Sequence, residues 1–134
     1  MSAYPRSIDL ADVAAKRLRE AGFADASTRK LAELKRGGIA VRRLPYTVID
    51  SYFDGTRCLA YPIQVVVARE GELQAIDECC AIADLLPMAD LRSENGTYRI
   101  TSCEVYTEPQ ELEMEGYPAV WECRLRAFIE TSAY

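Results

Sequence analysis

The sequence predicts an α+β fold, in which a mostly antiparallel β-sheet carries about two to three helices packed on one face. Three observations support this. Apolar residues recur at helical spacing in two stretches, and two β-rich segments flank a turn signal. In the last predicted strand, apolar and polar residues alternate along the chain. A length of 134 residues is typical of one domain. We therefore expect a single domain over residues 1–134, with a helical N-terminal part (1–38) and a sheet-and-helix core (39–130).

Helices are predicted in the N-terminal part. Between Ser7 and Ala21, apolar residues recur at helical spacing, acidic residues occupy the first turn, and Gly22 follows the end. The segment Ala26–Lys35 is a candidate for a second, short helix, which the pair Gly37-Gly38 would close.

A β-hairpin is predicted next. Thr47–Phe53 is rich in β-branched and aromatic residues, Asp54-Gly55 is a strong turn signal, and Arg57–Arg69 contains a run of valines. The second arm is therefore predicted to be a central strand. Because proline cannot donate a backbone hydrogen bond to a neighbouring strand, we expect Pro62 at an irregular or edge position.

The most regular helical pattern follows the turn at Glu70-Gly71 and ends near Pro87. On this pattern Cys80 is predicted to lie in the core and Cys79 at its margin. The apolar residues of the predicted inward face are Leu73, Ile76, Cys80, Ala83 and Leu86.

The last third returns to strands. Asn95-Gly96 introduces a predicted strand over Tyr98–Tyr106, Pro109–Tyr117 is predicted to be an acidic connection, and Val120–Glu130 alternates between apolar and polar residues. One face of this last strand is predicted to be core and the other to face solvent or a partner. The core face holds Trp121, Cys123, Leu125, Ala127 and Ile129, and the opposite face holds Glu122, Arg124, Arg126 and Glu130.

The composition argues against the commonest catalytic systems. The chain has no histidine, which removes Ser-His and Cys-His nucleophile systems and the commonest metal ligand. Its five cysteines are odd in number and scattered, without a Cys-x-x-Cys pair. The glycines form neither a phosphate-binding loop nor a dinucleotide fingerprint. We therefore predict a protein that is not an enzyme and holds no cofactor and no metal.

Carboxylates remain the one plausible catalytic class, because Glu108, Glu111, Glu113 and Glu115 lie close together in sequence. Such a run could also hold a hard cation, but on a connecting loop it is typically a solvated surface. The tyrosines could form a stacking platform for single-stranded nucleic acid. Since no basic residues interleave with the later ones, we do not expect specific nucleic-acid recognition.

Charge is distributed unevenly along the chain. Residues 1–69 carry 12 Lys and Arg against 7 Asp and Glu, whereas residues 70–134 carry 4 against 14. Two solvated faces would explain this. Alternatively, the basic surface of one copy meets the acidic surface of the next. Such a head-to-tail contact generates a ring when the rotation between neighbouring copies adds up to a full turn. The candidate interaction residues are Lys35, Arg36, Arg42, Arg43, Glu108, Glu111, Glu113, Glu115, Arg124 and Arg126.

The sequence also predicts a cellular compartment. Residues 1–12 lack the apolar core of a signal peptide, and no apolar run approaches the roughly 20 residues that span a bilayer. We expect a cytoplasmic protein without a membrane partner, in which the cysteines stay reduced.

The order of the central motifs resembles small bacteriophage minor-capsid and tail-terminator proteins. A strand of the form Tyr-Pro-Ile-Gln-Val-Val-Val-Ala-Arg (61–69) precedes a helix containing Ala-Ile-Ala-Asp-Leu-Leu (81–86). Then follow Tyr98-Arg-Ile100, Thr107-Glu-Pro-Gln110 and a last alternating strand. The similarity covers about residues 39–130 as an ordered pattern. Cys79-Cys80 and Trp121 have no assigned place in it.

The resemblance implies a virion assembly protein. Subunits of this kind form a homo-oligomeric ring, commonly a hexamer, that ends the phage tail tube and contacts the head connector. They would reside in the bacterial cytoplasm during assembly and then in the virion. Two alternatives remain open. One is another head-completion or connector protein, and the other is a non-catalytic module that binds a small molecule or a peptide.

Overall fold

The computed structural model describes residues 7–131, which form two α-helices and a six-stranded sheet. Short 3-10 turns lie at Leu31–Leu34 and Leu86–Met88. The predicted α+β class is confirmed. In chain order the elements are α1 (Leu10–Glu20), β1 (Ala26–Ser27), β2 (Gly38–Arg43), β3 (Thr47–Ser51), β4 (Arg57–Arg69), α2 (Glu72–Leu85), β5 (Arg99–Glu111) and β6 (Ala119–Thr131).

The sheet is built around β4 and has the strand order β1-β2-β4-β6-β5, with β3 also paired to β4. β2 pairs with the second half of β4 and β3 with its first residues, so β2 and β3 share one side of the central strand. The short β1–β2 pair is parallel and the other pairs are antiparallel. The predicted hairpin and mostly antiparallel sheet are therefore present.

Pro62 lies inside the central strand, at the point where β2 gives way to β3. Its carbonyl accepts a hydrogen bond of 3.0 Å from the backbone N–H of Leu44, which follows β2. Because the N–H and C=O of one strand residue point to the same side, the missing N–H of Pro62 also faces this junction. The prediction of an irregular position is met, although the strand itself is central.

Both α-helices pack on the same face of the sheet and enclose the main core. α1 covers β1 and β2, and α2 lies over β4, β6 and β5. The face of β6 that was predicted to be core is buried from Cys123 to Ile129, and Trp121 is half-buried against it. The first helix is confirmed, with bounds of Leu10–Glu20 in place of Ser7–Ala21.

The predicted second helix over Ala26–Lys35 is largely wrong. Ala26–Ser27 is a strand, and only Leu31–Leu34 is helical, as one 3-10 turn. That turn places Leu34 on the other face of the sheet, in a second and smaller core. Its members are Leu34, Ala40, Val66, Ala68 and Val120, with Leu31, Leu112, Met114 and Tyr117 packed against them.

The predicted inward face of the second helical region is confirmed at Ala83 and Leu86, which are buried, but it differs from the prediction along most of α2. Ala75, Cys79 and Ile82 are fully buried, whereas Leu73 is 76% exposed and Cys80 is exposed. Cys79, not Cys80, therefore belongs to the core. Small side chains on the inner face allow the helix to lie close to the sheet.

The acidic connection is shorter than predicted, because β5 continues through Pro109 and Gln110 to Glu111. Its pairing with β6 shifts register between Thr107 and Gln110, which places Pro109 at an irregularity of an outer strand.

Arg69, at the end of β4, ties two helical regions together. Its guanidinium contacts Asp25, which follows α1, at 2.6 Å and Glu78 of α2 at 2.7 Å. These planar, charge-assisted hydrogen bonds fix both regions against one strand end. Within residues 7–131, no helix is long and apolar enough to cross a membrane.

Candidate assembly interface

The most exposed apolar surface lies on the β3 hairpin, which we define as residues 46–57. All five residues of β3 are exposed, and Val48 and Ile49 are about half accessible to solvent. No other described element covers β3, which pairs only with β4 among residues 7–131. At the turn, the Phe53 side chain is fully exposed, with a relative accessibility of 113%.

An exposed apolar edge strand costs free energy in an isolated subunit and is normally blunted or covered. The hairpin is also well ordered locally. Asp54 accepts a hydrogen bond of 2.9 Å from the N–H of Thr56, and the Tyr46 ring stacks on Tyr61 at 5.8 Å. The surface is therefore held in a defined shape.

The opposite side of the sheet ends in β5, which pairs with β6 alone in the described part of the chain. Ile100, Cys103 and Val105 of β5 pack against the main core but remain half-exposed. The sheet therefore has three outer strands, of which β3 and β5 are longer than the two-residue β1.

The sheet face opposite the two α-helices carries a polar network that joins four strands. Arg42 of β2 donates to Gln64 of β4 at 3.0 Å, and Gln64 donates to Glu122 of β6 at 2.8 Å. Glu122 also accepts hydrogen bonds from Gln110 of β5 and from Arg124. Glu122 is 2% exposed, so its predicted place on the solvent face is wrong.

The neighbours of Glu122 keep it charged. Burial raises the pKa of this carboxyl, but hydrogen bonds from Arg124, Gln64 and Gln110 outweigh burial and hold the pKa below its ordinary value of 4.5. Removing one partner of such a buried pair leaves an uncompensated charge, so the network is expected to resist the loss of any one member.

The predicted basic interaction residues separate into three environments. Lys35 and Arg36 are exposed beyond the 3-10 turn, with the Lys35 ammonium 5.9 Å from the Tyr117 ring. Arg42 belongs to the polar network, and Arg43 is exposed at the end of β2.

Arg124 and Arg126, which were predicted to contact a partner, form ion pairs within the chain. Arg124 lies 2.9 Å from Glu122, and Arg126 lies 2.6 Å from Glu104. The Arg126 guanidinium also lies over the rings of Tyr106 and Phe128, at 5.2 and 5.5 Å. Strand pairing thus brings Arg126 next to Tyr106, although the sequence analysis found no basic residues interleaved with the tyrosines in this part of the chain.

The predicted acidic residues do not form one cluster. Glu111, Glu113 and Glu115 border an open cavity of about 330 Å³ beside the loop after β5. Glu108 lies apart, on the side of α2, where its charge acts on Cys80. Leu112 and Met114, which alternate with these acids, turn inward to the second core.

Sequence reasoning did not select the β3 hairpin as a site. The available signal was a strand with Val48 and Ile49 adjacent and Phe53 at its turn, so that apolar side chains occupy both faces. The hairpin itself was predicted, but the absence of a covering layer depends on where α1 and α2 dock.

The chain was compared with known proteins. No protein-family model matches it, and no curated protein sequence matches it with statistical significance.

Proposed function

We propose that the chain is a non-catalytic assembly subunit of a bacteriophage virion, of the tail-terminator or minor-capsid kind. It joins copies of itself into a ring that ends the tail tube and meets the head connector. The observation that carries this proposal is the exposed apolar β3 hairpin. It is an exposed edge that self-association would cover.

The charge distribution favours a contact between two different surfaces. Residues 26–43, which include β1 and β2, hold six Lys and Arg and one Glu, whereas β5 holds three Glu and one Arg. β1 and β5 are the two ends of the strand order. Subunits that present opposite charges on opposite sides associate head to tail. The chain of subunits closes into a ring if the rotation from one subunit to the next divides a full turn.

Light scattering across protein concentration, at low and high salt, measures the first consequence. We expect a ring-sized species, such as a hexamer, that high salt weakens because part of its stabilisation is electrostatic. Electron micrographs of the same sample should show closed rings. A monomer of about 15 kDa at every concentration would contradict the proposal.

A pair of variants tests the role of the hairpin. Phe53→Ser removes the most exposed ring of the hairpin and should lower the mass without lowering the free energy of unfolding. Leu73→Ser is the matched control, because Leu73 is also an exposed apolar residue but lies on α2. If the two variants associate equally, the hairpin is not the contact.

The phage assignment needs its own experiment. We expect the ring to stop the growth of a polymerising phage tail-tube protein when it is added to the reaction. Binding to a portal or head protein in place of the tube would favour the alternative of a head-completion protein.

A peptide-binding module is favoured by one observation, the open cavity beside Glu111, Glu113 and Glu115. Its apolar residues and acidic rim suit a basic peptide. Titration with a lysine-rich peptide, measured by isothermal titration calorimetry, tests this function. Saturable binding by a monomeric chain would favour it over the ring.

A further inference from the structure

Two outer strands of the sheet, β3 and β5, have residues at the same level along the strand direction. Asp50 of β3 pairs with Cys58, Cys58 with Glu130, and Glu130 with Arg99 of β5. One continuous row of residues therefore begins at Asp50 and ends at Arg99. The two open edges carry opposite charges in the same row.

The neighbouring rows end in matching side chains as well. The row through Leu59 and Ile129 joins Val48 at one edge to Ile100 at the other. The next row, through Ala60 and Phe128, joins Thr47 to Ser102. Pairs of opposite charge, of apolar residues and of hydroxyls are the cross-strand pairs that stabilise antiparallel sheets.

The irregularities of the two outer strands offset each other. β3 has an extra residue between Val48 and Asp50, and β5 has one between Ile100 and Ser102. The segments 47–50 and 99–102 consequently have equal length. If they pair antiparallel, Asp50 faces Arg99 and Thr47 faces Ser102 without a break in register. Between them, Ile49 faces Ile100 as the apolar pair, and Val48 faces Thr101.

The strand directions allow this pairing without turning a subunit over. β3, β4, β6 and β5 alternate in direction, so β3 and β5 are antiparallel to each other. Two copies placed side by side in the same orientation therefore bring residues 99–102 of one against β3 of the next as an antiparallel pair. Gln110, at the far end of β5, is level with Ser27 of β1, so the two edges must diverge beyond the four paired residues. This contact joins two different edges and repeats around a ring.

We propose that β3 of one copy adds to β5 of the next copy, over residues 47–50 and 99–102, and extends the sheet across the subunit boundary. Within residues 7–131, neither Asp50 nor Arg99 forms an ion pair, and both are exposed. Their charges are therefore available to each other across this boundary. This inference rests on the self-association proposed above and names the strands that mediate it.

Charge reversal tests the pairing. Asp50→Arg places a second cation opposite Arg99, and Arg99→Asp places a second anion opposite Asp50. Each single variant should weaken the association measured by light scattering by about tenfold or more, since like charges at a contact are strongly unfavourable. The double variant restores opposite charges and should associate within about threefold of the unaltered chain.

Arg92→Asp and Asp77→Arg are matched controls. Both residues are exposed and lie outside β3 and β5. These controls should associate as the unaltered chain does, and circular dichroism should show that every variant is folded. Hydrogen exchange adds a second measurement, in which outward-facing amides of 47–50 and 99–102 become protected as concentration rises.

The outcomes separate the two proposals. If the unaltered chain forms no oligomer, the proposed function fails and this pairing fails with it. If it forms an oligomer that both reversals leave intact, with no added protection at 47–50 and 99–102, the pairing alone is overturned. Weakening by each reversal and recovery in the double variant would support it.

Discussion

The amide of Gln64 donates a hydrogen bond of 2.8 Å to the carboxylate of Glu122 across two central strands, and both side chains are buried. This pair lies between an apolar cluster at one end of the sheet face and the more open remainder of that face. Buried polar groups persist in a core only when they are satisfied, and Glu122 has three side-chain donors.

Replacing Glu122 by glutamine should destabilise the protein. The substitution removes the charge that Arg124 pairs with and leaves two amide donors facing a weaker acceptor, at a cost of about 1–3 kcal/mol. Urea denaturation measures the difference. Glu104→Gln is the control, because Glu104 is exposed and pairs with Arg126, and its loss should cost less than about 1 kcal/mol. Equal losses would contradict the structural role assigned to Glu122.

Stability should fall in acid partly through Glu122 and Asp25. Hydrogen bonds from Arg69 lower the pKa of Asp25 in spite of burial, and the pKa of Glu122 is also lowered. The unfolded chain therefore takes up protons first as pH falls. The contribution of both groups is complete above pH 4.5, the ordinary pKa of Glu122, and is lost below it. Urea midpoints between pH 3 and pH 6 should show a shallower dependence for Glu122→Gln. An unchanged slope would be inconsistent with this account.

Gly38→Ala should be strongly destabilising. Gly38 has φ +131°, and a Cβ atom there would lie 2.6 Å from a guanidinium nitrogen of Arg29. Backbone strain and the displaced arginine together should cost at least about 1–2 kcal/mol. Gly71→Ala is the control, because Gly71 has φ −90° and no atom lies within 4 Å of the added methyl. Thermal unfolding of both variants measures the contrast, and a Gly38→Ala protein of unchanged stability would exclude a positive φ at this position.

Thiol labelling should identify Cys80 as more accessible than Cys79. Cys79 and Cys123 are fully buried, and Cys80 is exposed on the outer side of α2. Desolvation, the adjacent Cys79 and the charge of Asp84 raise the pKa of Cys80, so its reaction should be slower than that of free cysteine. Cys80→Ser should remove the fastest phase in the native protein. The assignment is wrong if Cys79→Ser removes it instead.

The sequence could not distinguish the two stripes of α2. Leu73, Ile76 and Cys80 share one face at helical spacing, and Ala75, Cys79 and Ile82 share another. The first face was predicted to point inward because its residues are larger and more hydrophobic. The second is inward because its small side chains allow close packing on the sheet, and Leu73 lies in the first turn beyond the covered region.

Strands were easier to predict than their environment. The Asp54-Gly55 turn and the alternation of 120–130 are local signals, and both were interpreted correctly. The burial of Glu122 depends on a cover that comes from elsewhere in the chain. Gln64 of β4 and Gln110 of β5 supply part of that cover, and no local sequence pattern around Glu122 indicates it.

The position of Pro62 divides one side of the sheet into two units that can move separately. Since Pro62 has no N–H and the partner strand changes beside it, no backbone ladder runs continuously from β2 into β3. β3 is held by β4 alone and should open on a faster timescale than β2, which α1 covers. Fraying of β3 would therefore leave the hydrophobic core intact, so under the proposed self-association this edge could adjust to a neighbouring copy at little cost to the fold.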